Sequence, residues 1–184
     1  MRIVGGRFRG RVLTAPKSQA VRPTADRLRE ALFNILGHAY GDPINGARVL
    51  DLFAGTGALG LEAVSRGAAF ALFVDDGAEA RALLRSNIDA LGVGGVTKVY
   101  RRDATRLGPV GPLAPFTLAF LDPPYGKGLA ERALASAREG GWLSANAVAV
   151  VEEATEAKFM PPAGFDEIER RDYGDTQLVF LRSK

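Results

Sequence analysis

From Arg48 onward the chain alternates short apolar runs with stretches in which apolar residues recur every three or four positions, and that alternation restricts it to an α/β sheet. Strands are predicted at 48–52, 70–75, 96–101, 117–122 and 147–152, with helices at 59–66, 78–91 and about 129–139. The strand runs are rich in β-branched and aromatic residues, as in parallel strands buried on both faces. The tail differs: runs at 167–173 and 177–182 are joined by Gly174-Asp175, a hairpin signal. The expected architecture is therefore a Rossmann-like, mostly parallel sheet that ends in an antiparallel hairpin.

The first 47 residues follow other rules. Arg2-Ile3-Val4, Gly5-Gly6 and residues 7–13 predict a small N-terminal β-hairpin, in which period two puts Arg7, Arg9 and Arg11 on one face. Residues 16–23 read as a loop. Thr24 is a suitable N-cap for a helix whose face carries Leu28, Ala31, Leu32, Ile35 and Leu36, with Gly37 as its stop. Two units are expected: a basic hairpin and loop over 1–23, and a catalytic domain over 24–184.

Charge supports that division. Residues 1–29 hold eight basic side chains and one acid, Asp26, whereas the remainder is mildly acidic within a net +3. A basic end on an acidic body suggests a polyanionic partner, with the arginine stripe meeting phosphates.

Other classes are excluded by what is missing. With no cysteine there is no disulfide, thiolate metal site or cysteine nucleophile, and a single histidine, His38, makes a histidine metal centre or a serine–histidine triad improbable. No metal is expected. No apolar run approaches the ~20 residues that span a bilayer, and no signal-peptide core follows Arg2, so a cytoplasmic location is expected.

Two loops carry the chemistry. After the first strand, Asp51-Leu52-Phe53-Ala54-Gly55-Thr56-Gly57-Ala58-Leu59-Gly60 matches G-x-G-x-x-G where a strand turns into a helix. Such a loop brings backbone amides to a ligand at a helix N-terminus. Asp75 lies 20 residues after Gly55, at a strand end where a carboxylate can accept both ribose hydroxyls. A nicotinamide dehydrogenase would share both features. Asp51 leans the other way, because a carboxylate facing the cavity repels a pyrophosphate but suits a sulfonium and an amino group. Asp103, past the third strand, could accept from an adenine amine. Loop-capping and surface-turn roles compete for Asp51 and Asp103.

The second loop is Asp122-Pro123-Pro124-Tyr125, after the fourth strand. Consecutive prolines fix both φ angles and remove two N–H donors, leaving carbonyls that only accept. An exocyclic base amine offers two N–H groups and needs such acceptors. Asp122 and the Pro123 carbonyl could hold the amine and raise electron density on its nitrogen, while Tyr125 offers an aromatic face to an extruded base.

In order, Asp-x-Phe-x-Gly-x-Gly, the acidic strand end and Asp-Pro-Pro-Tyr resemble the class I S-adenosylmethionine-dependent amino-methyltransferases. The whole chain is similar to the bacterial small-subunit (16S) ribosomal RNA guanine-N2 methyltransferase family. The likeness rests on Arg-Ile-Val-Gly-Gly at 2–6, Arg-Pro-Thr-Ala-Asp-Arg-Leu-Arg-Glu-Ala-Leu-Phe-Asn at 22–34, the two loops, and Tyr-Gly-Asp-Thr at 173–176. It implies a seven-stranded sheet, S-adenosyl-L-methionine as cofactor, and a guanine of ribosomal RNA in an assembling or assembled small subunit as substrate. It further implies that Thr24 closes over the cofactor, that Asp51, Phe53, Gly55, Gly57, Asp75, Asp103 and Ala104 hold it, and that Arg7, Arg9 and Arg11 touch RNA. Asp75 and Asp76 both stand at the ribose position, where such proteins often carry glutamate.

Three rivals remain. An amino-methyltransferase for DNA adenine would usually carry a larger recognition domain, and one for protein glutamine more often shows Asn in place of Asp122. An NAD-dependent oxidoreductase would need a hydride-handling acid or base, and a non-catalytic RNA-binding protein would not need either loop. Elsewhere, Trp142 reads as a core anchor, His38 as a capping or solvated residue, and Glu152-Glu153 as a strand end without catalytic duty.

Overall fold

The computed structural model describes residues 1–16 and 26–184, so Thr24 and the Arg-Pro-Thr stretch lie outside the described residues. Seven strands form one sheet in the order β3-β2-β1-β4-β5-β7-β6. They are β1 (Arg48–Leu52), β2 (Phe70–Val74), β3 (Thr97–Tyr100), β4 (Phe116–Leu121), β5 (Leu143–Ala154), β6 (Phe165–Tyr173) and β7 (Thr176–Ser183). The helices are α1 (Asp26–Ala39), α2 (Ala58–Ser65), α3 (Ala78–Leu91) and α4 (Leu129–Glu139). The first five strands pair in parallel, and β7 runs antiparallel to both β5 and β6. This is the Rossmann-like sheet with its terminal hairpin.

Alternation along each strand builds two cores. Val49, Phe73, Phe120 and Val150 pack toward α1, α2 and α3, while Leu50, Leu72, Val74 and Leu121 pack toward α4. Trp142 is buried in the second core and donates its indole N–H to the Gly108 carbonyl at 2.7 Å, an anchoring role. The strand order reverses between β1 and β4, which opens a crevice at their carboxyl ends.

Some boundaries differ from expectation. α1 runs through Gly37 to Ala39, and the reversal falls at Gly41 and Asp42, both at positive φ. His38 is exposed in its last turn. β5 starts at Leu143 rather than 147, because Asn146 at φ 67° allows an irregularity in the β4 register that hides the strand's polar first half.

The N-terminal arm is corrected more substantially. A single bridge joins Arg2 to Val12, and residues 7–10 are turns, set by Gly6 (φ 76°) and Gly10 (φ 85°). Arg7, Arg9 and Arg11 are all exposed, but not as a period-two stripe. Arg7 lies over the Phe8 ring at 4.5 Å, and Arg11 donates to the Ala90 carbonyl at 2.6 Å. The segment is fastened to the sheet domain: Ile3 and Leu13 enter the first core. Asn87 of α3 accepts from the Thr14 amide at 2.7 Å and donates to the Thr56 carbonyl at 3.0 Å.

The third glycine of the loop has a packing role. A Cβ on Gly60 would lie 2.4 Å from Cε1 of Phe73, a fully buried ring on β2. Gly60→Ala should therefore push α2 off the sheet and cost about 1–3 kcal/mol. Urea unfolding checks this; an unchanged midpoint would show that the ring yields freely.

Candidate active site

The crevice at the carboxyl ends of β1, β2 and β4 holds a cavity of about 770 Å³. Phe53, Gly55, Asp75, Asp103, Asp122 and Tyr125 all line it. With Pro124, seven positions chosen from four stretches of sequence thus meet in one space. Asp76, Arg106 and Arg132 also reach it. Neither arginine carried a sequence signal that set it apart from other surface cations.

The glycine loop is held in an unusual path. Phe53 (φ 57°), Gly55 (φ 58°) and Gly57 (φ 84°) all take left-handed conformations. A Cβ on Gly57 would strike Cδ1 of Leu84 at 2.3 Å. Asp75 fixes the loop to β2, one oxygen accepting from the Gly55 amide at 2.9 Å and the other from the Gly77 amide at 2.8 Å. Each oxygen can accept a further hydrogen bond, and the side chain lines the cavity.

Asp51 does not line the cavity. It is 1% exposed and accepts from the Gly60 amide at 2.9 Å. Burial pushes its carboxyl well above the usual range, against the Gly60 hydrogen bond and with help from the charges of Asp122 and Asp75. It lies behind the residues that line the site. Ala104 is likewise buried, in the second core. Asp103 is exposed, and its Oδ1 accepts from both the Thr105 amide (2.8 Å) and hydroxyl (2.7 Å), which hold its carboxyl below the usual range.

At the end of β4, Asp122 is half-buried, Pro123 buried, Pro124 exposed and Tyr125 half-buried. The Tyr125 hydroxyl donates to Oε1 of Glu152 at 2.6 Å and lies 3.1 Å from the Thr176 hydroxyl. Next along the chain, the Gly126 amide donates to Glu153 at 2.9 Å. Glu152 and Glu153, 4% and 2% exposed, are therefore the supports of this loop, a role that their place at a strand end did not reveal.

Arg7, Arg9 and Arg11 do not line the cavity. Among the described residues no group of three acidic, histidine or cysteine side chains could hold a metal. What the cavity offers is a carboxylate pair at a strand end, an acceptor-rich rigid loop and an aromatic edge. Those groups suit a nucleoside and an amine.

The family model described as "Conserved hypothetical protein 95" matches residues 1–182. Ribosomal RNA small subunit methyltransferase D of Escherichia coli strain K12 is 41% identical over 157 residues, 85% of this chain and 76% of that protein. YlbH of Bacillus subtilis, described as a candidate rRNA methyltransferase, is 33% identical over the whole of both chains. The solved structure of yhhF from Escherichia coli, described as a candidate methyltransferase, superimposes with a TM-score of 0.83 at 34% identity, covering 100% of this chain and 98% of that one.

Proposed function

The chain belongs to the conserved hypothetical protein 95 family, and from that premise we propose that it is an S-adenosylmethionine-dependent ribosomal RNA methyltransferase acting on the N2 amine of a guanine. The observation that carries this reading is the meeting of Asp122, Pro124 and Tyr125 with Gly55, Asp75 and Asp103 around one cavity, with Pro123 buried behind them. The name of the Escherichia coli relative supports small-subunit ribosomal RNA as the substrate.

The cavity's residues fit the cofactor. Asp75, with Asp76 beside it, would hold the ribose diol, Gly55 would let the loop backbone approach the cofactor, and Gly57 would keep that loop on its path against Leu84. Asp103, which lines the cavity, would accept from the adenine amine, with Ala104 buried in the core beside it. Thr24 is assigned to the cofactor side by its place in the sequence. The bound cofactor supplies an electrophilic methyl group on a sulfonium, already a good leaving group. The chain's own residues do the rest. Asp122 and the Pro123 carbonyl accept the two amine hydrogens, aligning the nitrogen lone pair for in-line attack. Tyr125 stacks on the extruded base. Residues 1–23, with Arg7, Arg9 and Arg11, contact the RNA backbone, and the catalytic work belongs to 24–184. No helix among the described residues is long and apolar enough to cross a membrane, and a cytoplasmic setting fits a ribosomal substrate.

Labelled S-adenosylmethionine with small ribosomal subunits from cells lacking the protein tests the reading. Label in N2-methylguanosine supports it, and label in another nucleoside keeps the reaction class but moves the substrate. Absence of transfer to subunits, naked RNA and DNA alike overturns it.

Asp51 gives a pH prediction. Burial raises its pKa in the empty site, so it keeps its proton at pH values where a free aspartate has lost it. A cationic cofactor above it favours the carboxylate and lowers that pKa. Binding then releases a proton, and affinity rises with pH between the bound and free pKa values. Calorimetry in buffers of differing ionisation heat should show this release, and Asp51→Asn should abolish it. A pH-independent affinity in the native protein would refute the role.

A further inference from the structure

Tyr125 closes the Asp-Pro-Pro-Tyr loop that follows β4. The loop continues into Gly126 (φ 75°) and Gly128 (φ 67°), and a Cβ at either would meet nothing within 4 Å. A loop with two left-handed glycines in open space is permissive. Restraint comes from the neighbouring strands β5 and β7. Oε1 of Glu152 on β5 accepts from the Tyr125 hydroxyl, and the Thr176 hydroxyl, at the first residue of β7, lies within hydrogen-bond distance of the same tyrosine oxygen. Glu153 Oε1 accepts from the Gly126 amide at 2.9 Å and the Ala154 amide at 2.8 Å.

Thr176 is itself fixed. It pairs with Ala154 across β5 and β7, and with Tyr173 across the hairpin. The turn between, with Gly174 at φ 61°, is fastened to the end of β5: the Thr155 amide donates to the Asp175 carbonyl at 2.8 Å, and the Thr155 hydroxyl to the Gly174 carbonyl at 3.1 Å. The closing Tyr-Gly-Asp-Thr stretch thus has a physical task that its sequence alone did not disclose.

We propose that Glu152 and Thr176 are positioning residues that clamp the Tyr125 hydroxyl, and so set the ring plane against which the target base stacks. The inference rests on the methyltransferase reading and goes beyond it by assigning the antiparallel hairpin a part in base presentation. Two hydrogen bonds to the ring's para oxygen fix its tilt and depth. A base held on a tilted ring presents its amine off the line of attack, and catalysis is steep in that geometry.

The test is a double-mutant cycle with whole small subunits as substrate. Tyr125→Phe keeps the ring and removes the hydroxyl, and Glu152→Ala removes the acceptor. Each should lower kcat by about tenfold with little change in cofactor affinity by calorimetry, and the double variant should lose no more than either alone. Glu152→Gln, whose amide oxygen still accepts, should recover most of the loss. Multiplied losses in the double variant, or a Glu152→Ala protein that melts lower yet turns over normally, would overturn the clamp and leave the methyltransferase reading intact. A native protein that methylates no RNA would remove both together.

Discussion

Asp122→Ala should reduce kcat for methyl transfer by about 10²–10⁴-fold, the range lost when a positioned proton acceptor or charge-stabilising group is removed from a site. The reason lies in the nucleophile. A base amine's lone pair is delocalised into the ring, so it attacks well only when its hydrogens are drawn toward acceptors and charge returns to nitrogen. Asp122 is half-buried at the carboxyl end of β4 and lines the cavity beside Asp75 and Asp103. Pro123 supplies only a carbonyl, and that is a weaker acceptor than a carboxylate. Asp122→Asn keeps one acceptor oxygen and should fall between the native protein and the alanine variant. Cofactor affinity should move by less than about tenfold, which is about 1.4 kcal/mol, because the glycine loop and Asp75 are untouched. Single-turnover rates with saturating cofactor separate the two effects. A kcat within about threefold of native would be too small for the assigned role, since general acid–base groups contribute about 10²–10⁴-fold, and would move amine recognition elsewhere.

The glycine loop and the Asp-Pro-Pro-Tyr loop were legible because their residues are constrained locally. Gly55 and Gly57 take positive φ, and Pro123 and Pro124 fix theirs, so one stretch of sequence suffices to announce each conformation. β1 and α3 were legible for a similar reason: a short run rich in apolar residues in one case, and in the other a periodic pattern stopped by Gly92 at φ 68°. What escaped was set by partners far along the chain. Asp51 was read as facing the ligand, yet its burial comes from α2 folding back to offer the Gly60 amide. Glu152 resembled any acid at the end of a strand until Tyr125, 27 residues earlier, was placed against it. The arginine stripe failed because period two holds only for extended backbone, and Gly6 and Gly10 turn that backbone. Local rules read what residues do to their own φ and ψ; they do not read which distant donor a buried carboxylate serves.

Glu62 is the clearest case, and it should give the largest stability effect in the chain. It is wholly buried on α2. Its Oε1 accepts from the Val4 amide at 2.9 Å and from Arg29 Nε at 3.2 Å; its Oε2 accepts from the Gly5 amide at 2.9 Å and from Arg66 Nε at 2.8 Å. Arg29 is buried as well. Glu62→Ala leaves that guanidinium without its buried counter-ion and two backbone amides without acceptors, a loss of about 3–5 kcal/mol. For a domain of this length each kcal/mol lowers Tm by roughly 2–4 °C, so a fall of about 6–20 °C is expected. Glu62→Gln should be nearly as damaging despite its shape. Every partner is a donor, and an amide turns one of the two accepting atoms into a donor facing an amide and a guanidinium. The consequence reaches function, because Val4 and Gly5 are among the points where the arginine-bearing arm is tied to the sheet domain. Under conditions where either variant is folded, RNA affinity should fall more than cofactor affinity, since the arm is released while the glycine loop keeps Asp75. A Glu62→Gln protein with native Tm would mean that the arm is held by Ile3 and Leu13 in the core, and that the buried ion pairs are dispensable.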